Sequence, residues 1–208
     1  MVYRVCSAAI VTLCLLAGAA WGCEGTTLIF EDDFQDDLGG WDKEPAMKIE
    51  HGAMVLRPPG DRVSLSELNT AFLATDVDAC TEVVLPTEPP DSGLAAGIVF
   101  WAVDYGNYYL AVVTVNGRAA LYRRSNQKWF KVWEEEPSQV RSGLGASNLL
   151  RVVAKGNRVS VYVNGAKVKD TRVQVPPGET RFGTYVERNK AVEGHAFSFR
   201  NFKVTKPN

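Results

Sequence analysis

From residue 26 to the C-terminus, short apolar runs alternate with polar punctuation at the spacing of β-strands. Runs rich in Val, Ile, Tyr, Phe and Trp recur roughly every 8–12 residues and are broken by Gly, Asn, Asp and Pro. The pattern predicts early strands at 27–30, 47–50, 53–56, 72–76 and 79–85. Gly39-Gly40, His51-Gly52 and Pro58-Pro59-Gly60 punctuate them, and the stretch PTEPPDS (86–92) is a loop that no strand could contain.

The middle of the chain gives the clearest pattern. The run AGIVFWAV (96–103) is apolar throughout and of strand length, with Trp101 expected on the face of Val99 and Val103. YYLAVVTV (108–115) carries bulk on both faces, which places it between two layers. Asn116-Gly117 is the strongest short hairpin signal, because a tight two-residue turn wants positive φ at both centres. Strands at 118–124 and 128–133 then complete a four-stranded antiparallel meander. After a Gly/Ser loop at 142–147, a second meander follows at 149–154, 158–163 and 166–169, with another Asn-Gly turn at Asn164-Gly165. Strands at 181–186 and 197–204 close the chain. No segment sustains a 3.6-residue apolar period and no repeat or linker splits the pattern. About a dozen strands without helices make an all-β, two-sheet antiparallel sandwich, expected as one domain over 23–208.

The first 22 residues read as an address. Arg4 supplies a positive start, VCSAAIVTLCLLAGAA (5–20) is apolar or small, and Ala20-Trp21-Gly22 has small residues where a signal peptidase reads. The run is short for a span of about 20 residues, and no later segment is apolar enough to cross a bilayer. A cleaved signal peptide and a secreted or periplasmic product are therefore expected. Export gives the cysteines meaning. Cys6 and Cys14 leave with the signal, and Cys23 and Cys80 can form one disulfide in an oxidising compartment. The rival is a lipidated Cys23, as in a bacterial lipoprotein, but Ala20 stands where a lipobox usually has Leu and bulky Trp21 intervenes.

Composition removes some classes of partner. The 208 residues carry 23 Lys+Arg against 24 Asp+Glu, a formal charge of −1, which offers no basic footprint for nucleic acid and no polybasic membrane patch.

Four stretches carry a family resemblance: GIVFWAVDYGNYYLAVVTVNGRAALYRRSNQKW (97–129), NLLRVVAKGNRVSVYVNGAKVKD (148–170), FEDDFQDDLGGW (30–41) and FSFRNFKV (197–204). They resemble bacterial concanavalin A-like domains: the laminin G-like modules and the related 3-keto-disaccharide hydrolase domain. The resemblance implies a concanavalin A-like jelly roll whose first and last strands lie side by side. It says little about activity, since that sandwich hosts lectins, glycosidases and adhesion modules alike.

Catalytic motifs are sparse. Laminarinase-type relatives hydrolyse β-glucans through a Glu-x-Asp-x-(x)-Glu strand, and no such motif occurs here. Glu134-Glu135-Glu136 alternates across strand faces and ends at Pro137, so it reads as a solvated strand end. Gly145-Ala146-Ser147 lacks the second glycine of a nucleophile elbow. His51 and His195 are too few for a zinc site, and His195 becomes a base only if a carboxylate such as Glu187 or Glu193 meets it. No catalytic residue is assigned. No cofactor is expected beyond a candidate Ca²⁺ site at Asp32, Asp33, Asp36 and Asp37, whose rival reading is a solvated turn.

Aromatic residues make the stronger case. Trp101, Tyr105, Tyr108, Trp129 and Tyr185 cluster in or beside the central strands, as does Trp133, with Asp104, Asn107, Arg123, Glu187 and Arg188 nearby in sequence. Sugar rings stack their C–H faces on aromatic rings while polar side chains take the hydroxyls, although Trp and Tyr in a sandwich also fill the core. The sequence thus favours a non-catalytic module that binds glycan or another cell-envelope ligand. A glycoside-acting hydrolase of the 3-keto-disaccharide type and a structural or protein-interaction domain are the alternatives.

Overall fold

The computed structural model describes residues 22–37, 39–60, 62–89, 93–188, 190 and 194–208. The expected signal segment, apart from Gly22, lies outside the described residues, as does Glu193. Every element found is a strand: β1 Thr27–Asp32, β2 Met47–Glu50, β3 Ala53–Leu56, β4 Ser64–Leu68, β5 Val77–Val84, β6 Ala95–Asp104, β7 Asn107–Thr114, β8 Ala119–Ser125, β9 Lys128–Glu135, β10 Ser147–Lys155, β11 Arg158–Val163, β12 Ala166–Arg172, β13 Arg181–Glu187 and β14 Phe197–Lys206. Among the described residues no helix is long and apolar enough to cross a membrane.

Two antiparallel sheets result. One has eight strands in the order β12-β11-β10-β5-β14-β3-β2, with β1 also pairing β14. The other has six, in the order β4-β13-β6-β7-β8-β9. Both predicted meanders are present, and the first and last strands are neighbours, Phe30 opposite Val204. The core lies between the sheets. Ala96, Ile98 and Phe100 of β6 pack there with Val83, Val152 and Phe199 of the larger sheet. The period of two is cleanest in β10, whose residues alternate between buried and half-buried along most of its length.

Several local expectations change in the folded chain. Residues 72–76 are not a strand: only Ala74 bridges, to Thr180, while Phe72 and Leu73 are exposed. The strand of this region is β4, whose polar SLSEL suits an edge and gives no apolar run to read. The two Asn-Gly turns also differ. Asn164 and Gly165 both have positive φ, 51° and 83°, whereas at Asn116-Gly117 only Gly117 does, at 80°.

The largest departure is at Trp101. Alternation puts it with Val99, but the β6–β7 register shifts between Phe100 and Asp104, and Trp101 takes φ 51°. This bulge turns Trp101 to the same side as Phe100, into the core between the sheets, where its Nε1 donates to the Thr75 carbonyl at 2.6 Å. Val103 instead becomes exposed.

Residues 23–24 and the C-terminal residue are tied to the larger sheet. Cys23 is bonded to Cys80 of β5, with Cα atoms 5.5 Å apart. Beside it, Arg151 of β10 makes a two-pronged ion pair with buried Asp78 at 2.8 and 2.9 Å and a third contact to Glu24 at 2.9 Å. Asn208 Nδ2 donates to the Glu24 carbonyl, so the last residue meets the first described segment on this face.

Candidate functional site

The six-stranded sheet has a second apolar face, turned away from the sandwich core. Leu68, Val99, Tyr108, Leu110, Val112 and Tyr185 form a buried cluster there, separate from the main core. A solvent-side sheet face is usually polar, so an apolar one needs cover. Part of that cover comes from Trp129 of the edge strand β9. Its ring centroid lies 5.6 Å from that of Tyr108, 6.2 Å from Tyr122 and 5.8 Å from Tyr185, edge to face in each case. Even so, Trp129 remains 42% exposed.

Beside Trp129 the face opens into a groove of about 390 Å³. Its position follows from register. Leu110 pairs with Tyr122, Val112 with Ala120, and Ala120 with Glu134, so one row of side chains runs across β7, β8 and β9. The floor is aliphatic, the aromatic walls are Trp129, Tyr122 and Tyr185, and the rim is polar, with Thr114, Asn116, Arg118, Glu134 and Glu187.

The rim side chains hold one another in place. Arg118 reaches Glu134 and Glu136, each at 2.8 Å. Lys131 meets the other Glu134 oxygen at 3.2 Å, and the Tyr122 hydroxyl donates to it at 3.1 Å. The hydrogen bond from Lys131, joined by those from Tyr122 and Arg118, holds the Glu134 carboxyl below the usual carboxylate range. Burial, and then the Glu134 charge, push the Tyr122 hydroxyl up to about 12. Burial likewise raises Tyr185, whose hydroxyl donates to Glu187 at 2.8 Å. The groove therefore presents an ionised carboxylate, neutral phenols and an aromatic platform.

The residues singled out in the sequence separate into groups. Tyr108, Trp129, Tyr185 and Glu187 are brought together on this face. Trp101 is interior. Asp104 and Asn107 build the β6–β7 turn, with Asp104 accepting from Gly106 N at 2.6 Å and from Asn107 Nδ2 at 2.9 Å. Tyr105, part-exposed, donates to Asp42. Arg188 is buried and donates to the carbonyls of Pro59 and Gly60, both at 2.9 Å, fixing a loop. Arg123 donates to Gln174 at 2.8 Å, at the end of the sheet beyond the groove.

The candidate calcium ligands have protein partners. Asp32 accepts from Phe34 N and Trp41 Nε1, Asp33 from Gln35 N, and Asp37 from Lys43. Asp36 lines a shallow cavity beside them. Among the described residues no three His, Cys, Asp or Glu side chains converge as metal ligands do. His195 is fully buried, with its Nε2 3.0 Å from the Glu88 carbonyl.

Sequence reasoning missed Glu134, Arg118 and Tyr122. A signal for them existed: strands closed by the Asn116-Gly117 turn bring Leu110, Val112 and Thr114 alongside Tyr122, Ala120 and Arg118. Glu134 was legible only as a strand end, because the register of β9 against β8 includes a shift between Leu121 and Tyr122.

No protein-family model matches this sequence, and no curated protein matches it. Solved structures do match in fold. A carbohydrate-binding module, CBM66 from Bacillus subtilis, superposes with a TM-score of 0.66 at 19% identity, covering 80% of this chain and 96% of that one. The Emp47p carbohydrate recognition domain gives 0.65 at 15% identity over 88% and 98% of the two chains. A Bacillus licheniformis β-glucanase gives 0.64 at 10% identity over 85% and 97%. At such identities the likeness concerns the fold, which is the concanavalin A-like jelly roll.

Proposed function

We propose that this chain is a glycan-binding β-sandwich module whose ligand lies in the groove on the outer face of the six-stranded sheet. The observation that carries the reading is Trp129, an exposed indole braced by three tyrosines above an aliphatic floor and a hydrogen-bonding rim. Such a surface suits a pyranose, with one apolar face for stacking and hydroxyls for Glu134, Glu187 and Asn116. That similar folds serve as carbohydrate-binding modules and recognition domains supports it.

We read the groove as binding rather than cleaving. Two carboxylates, Glu134 and Glu187, do line it. Glu134, held ionised by Lys131, Tyr122 and Arg118, is unsuited to be the acid of a glycosidase pair. A glycan array followed by calorimetry on the strongest hit tests the proposal. Trp129→Ala should weaken that ligand roughly five- to thirtyfold, the loss of about 1–2 kcal/mol of stacking. Unchanged affinity, or silence across plant, fungal and bacterial glycans, would overturn the reading. Release of free sugar from a bound oligosaccharide would favour the hydrolase.

We also propose that the protein works outside the cytosol. The N-terminal signal pattern and a disulfide at the first residue after it support this. Intact mass of the exported product should correspond to a chain beginning at Cys23 without an acyl group.

A further inference from the structure

Two asparagines precede a glycine, Asn116 and Asn164. Each stands at a hairpin tip, yet their side chains are held very differently. Asn164 Nδ2 donates to the Gln139 carbonyl at 2.7 Å and to Asn148 Oδ1 at 2.9 Å, and its Oδ1 accepts from Leu149 N at 2.9 Å. Its carboxamide is thus fixed from both ends. Asn116 is exposed, and its side chain makes no hydrogen bond among the described residues. The turn around it is pinned by other groups: Thr114 N donates to the Arg118 carbonyl at 2.9 Å, and Arg118 N to Thr114 Oγ1 at 3.1 Å. The hairpin backbone therefore carries Asn116 onto the groove rim and leaves its carboxamide untethered.

An Asn-Gly pair carries its own chemistry. The glycine amide nitrogen gives its proton to hydroxide and attacks the side-chain carbonyl carbon of the asparagine. A C–N bond forms, the bond from that carbon to the side-chain nitrogen breaks, and ammonia leaves a five-membered cyclic imide. Water then opens the imide at one of its two carbonyls, giving aspartate or its β-linked isomer. No electrons are transferred, and water is the only co-reactant. Glycine favours the attack because no Cβ crowds its nitrogen and its backbone angles are free. The step needs a carboxamide that can swing onto that nitrogen. At Asn164 three side-chain hydrogen bonds must break first. At Asn116 no side-chain bond opposes the swing. Only the Gly117 N bond to the Thr114 carbonyl, at 3.0 Å, stands in the way, at an exposed tip where local opening is easiest.

We propose that Asn116 is a site of spontaneous deamidation, through which the groove rim gains a carboxylate as the protein ages. That rim already carries Glu134 and Glu187, and the new charge replaces a carboxamide that both donates and accepts. The effect on a ligand rests on the glycan reading of the groove. The chemistry at Asn116 does not.

Peptide mass spectrometry tests it on the native protein kept in warm, mildly alkaline buffer, beside the same protein unfolded in guanidinium chloride. In the unfolded chain both asparagines should convert at similar rates. In the native protein Asn116 should stay within about threefold of its unfolded rate. Native Asn164 should convert at least roughly tenfold more slowly than native Asn116, since three hydrogen bonds hold it. Gly117, at φ 80°, sits where Asn is tolerated, so Gly117→Asn adds a Cβ to the attacking residue with little strain and should slow conversion at Asn116 several-fold. A native Asn116 as slow as native Asn164, or a rate indifferent to Gly117→Asn, overturns the proposal. Calorimetry gives the second readout. Fully converted protein should bind the strongest glycan-array hit about two- to tenfold more weakly than fresh protein, the effect of one lost hydrogen bond. Complete conversion with affinity unchanged would count against the groove reading and leave the deamidation site standing.

Discussion

Glu67 lies on β4 with both carboxyl oxygens buried and without a hydrogen-bond partner among the described residues. Strand alternation explains how it came there: Leu65 faces the core and Ser66 reaches the Tyr108 hydroxyl on the outer face, so Glu67 turns inward again. Its partner across the strands, Thr184, also points inward, to Met54. Burial, with smaller contributions from Glu44 and Asp42, pushes the Glu67 carboxyl up to about 8. Below about pH 4.5 the folded and unfolded chains both hold this proton, and it has no effect on stability. Between there and pH 8 only the folded chain holds it, so stability falls as pH rises, by up to roughly 1.4 kcal/mol per unit. Above pH 8 the effect is flat. Glu67→Gln should remove that slope, so chemical denaturation at pH 5 and pH 8 should show the native protein losing more stability than the variant. Parallel pH profiles would show that Glu67 ionises as an exposed carboxyl does. A Glu in an edge strand reads from sequence as solvent-facing, and nothing local signals otherwise.

At the scale of elements, β6 and β7 form the centre of the smaller sheet and bring glycine and bulk together. A Cβ on Gly97 would stand 1.9 Å from the Ala111 carbonyl oxygen of β7, inside any allowed contact. Gly97→Ala must therefore push the two strands apart at the floor of the groove. A loss of about 2–3 kcal/mol is expected, seen as a lower urea midpoint with the m-value unchanged. An unaltered midpoint would mean that the strands yield without strain. How far elements are legible varies with their surroundings. The two meanders could be read because their apolar runs and turn residues agree. β4 could not, since SLSEL carries only two apolar residues although Leu65, Glu67 and Leu68 are all buried, whereas Phe72 and Leu73 offered an apolar run that the fold leaves exposed. Trp101 shows the same limit within a well-read strand, because a one-residue bulge reverses the face of everything beyond it.

For the whole molecule, the Cys23–Cys80 bond closes a loop of 57 residues in sequence separation. Chain entropy makes such a crosslink worth about 4 kcal/mol. Cys23→Ser/Cys80→Ser should therefore lower thermal stability by several degrees, and dithiothreitol should do the same to the native protein while leaving the double variant unmoved. Because the bond lies on the larger sheet, away from the groove, glycan affinity of the folded variant should be unchanged. A matching loss of affinity would show that the N-terminal tie also shapes the smaller sheet.

Taken alone, the amino-acid sequence determined most of the strand content, the two meanders, the antiparallel two-sheet class, Cys23 and Cys80 as the candidate disulfide, and the absence of a laminarinase-type strand. These depend on local period, turn chemistry and counting. Tertiary structure alone decided that Trp101 is core while Trp129 is surface, that Glu134 belongs to a groove rim, that Glu67 is buried, and that Arg124 rests on the Trp129 ring. Each of these depends on which layer covers a strand face and where a bulge shifts its register. Such contacts join residues far apart in the chain, and a period of two cannot say which of its two faces meets the other sheet.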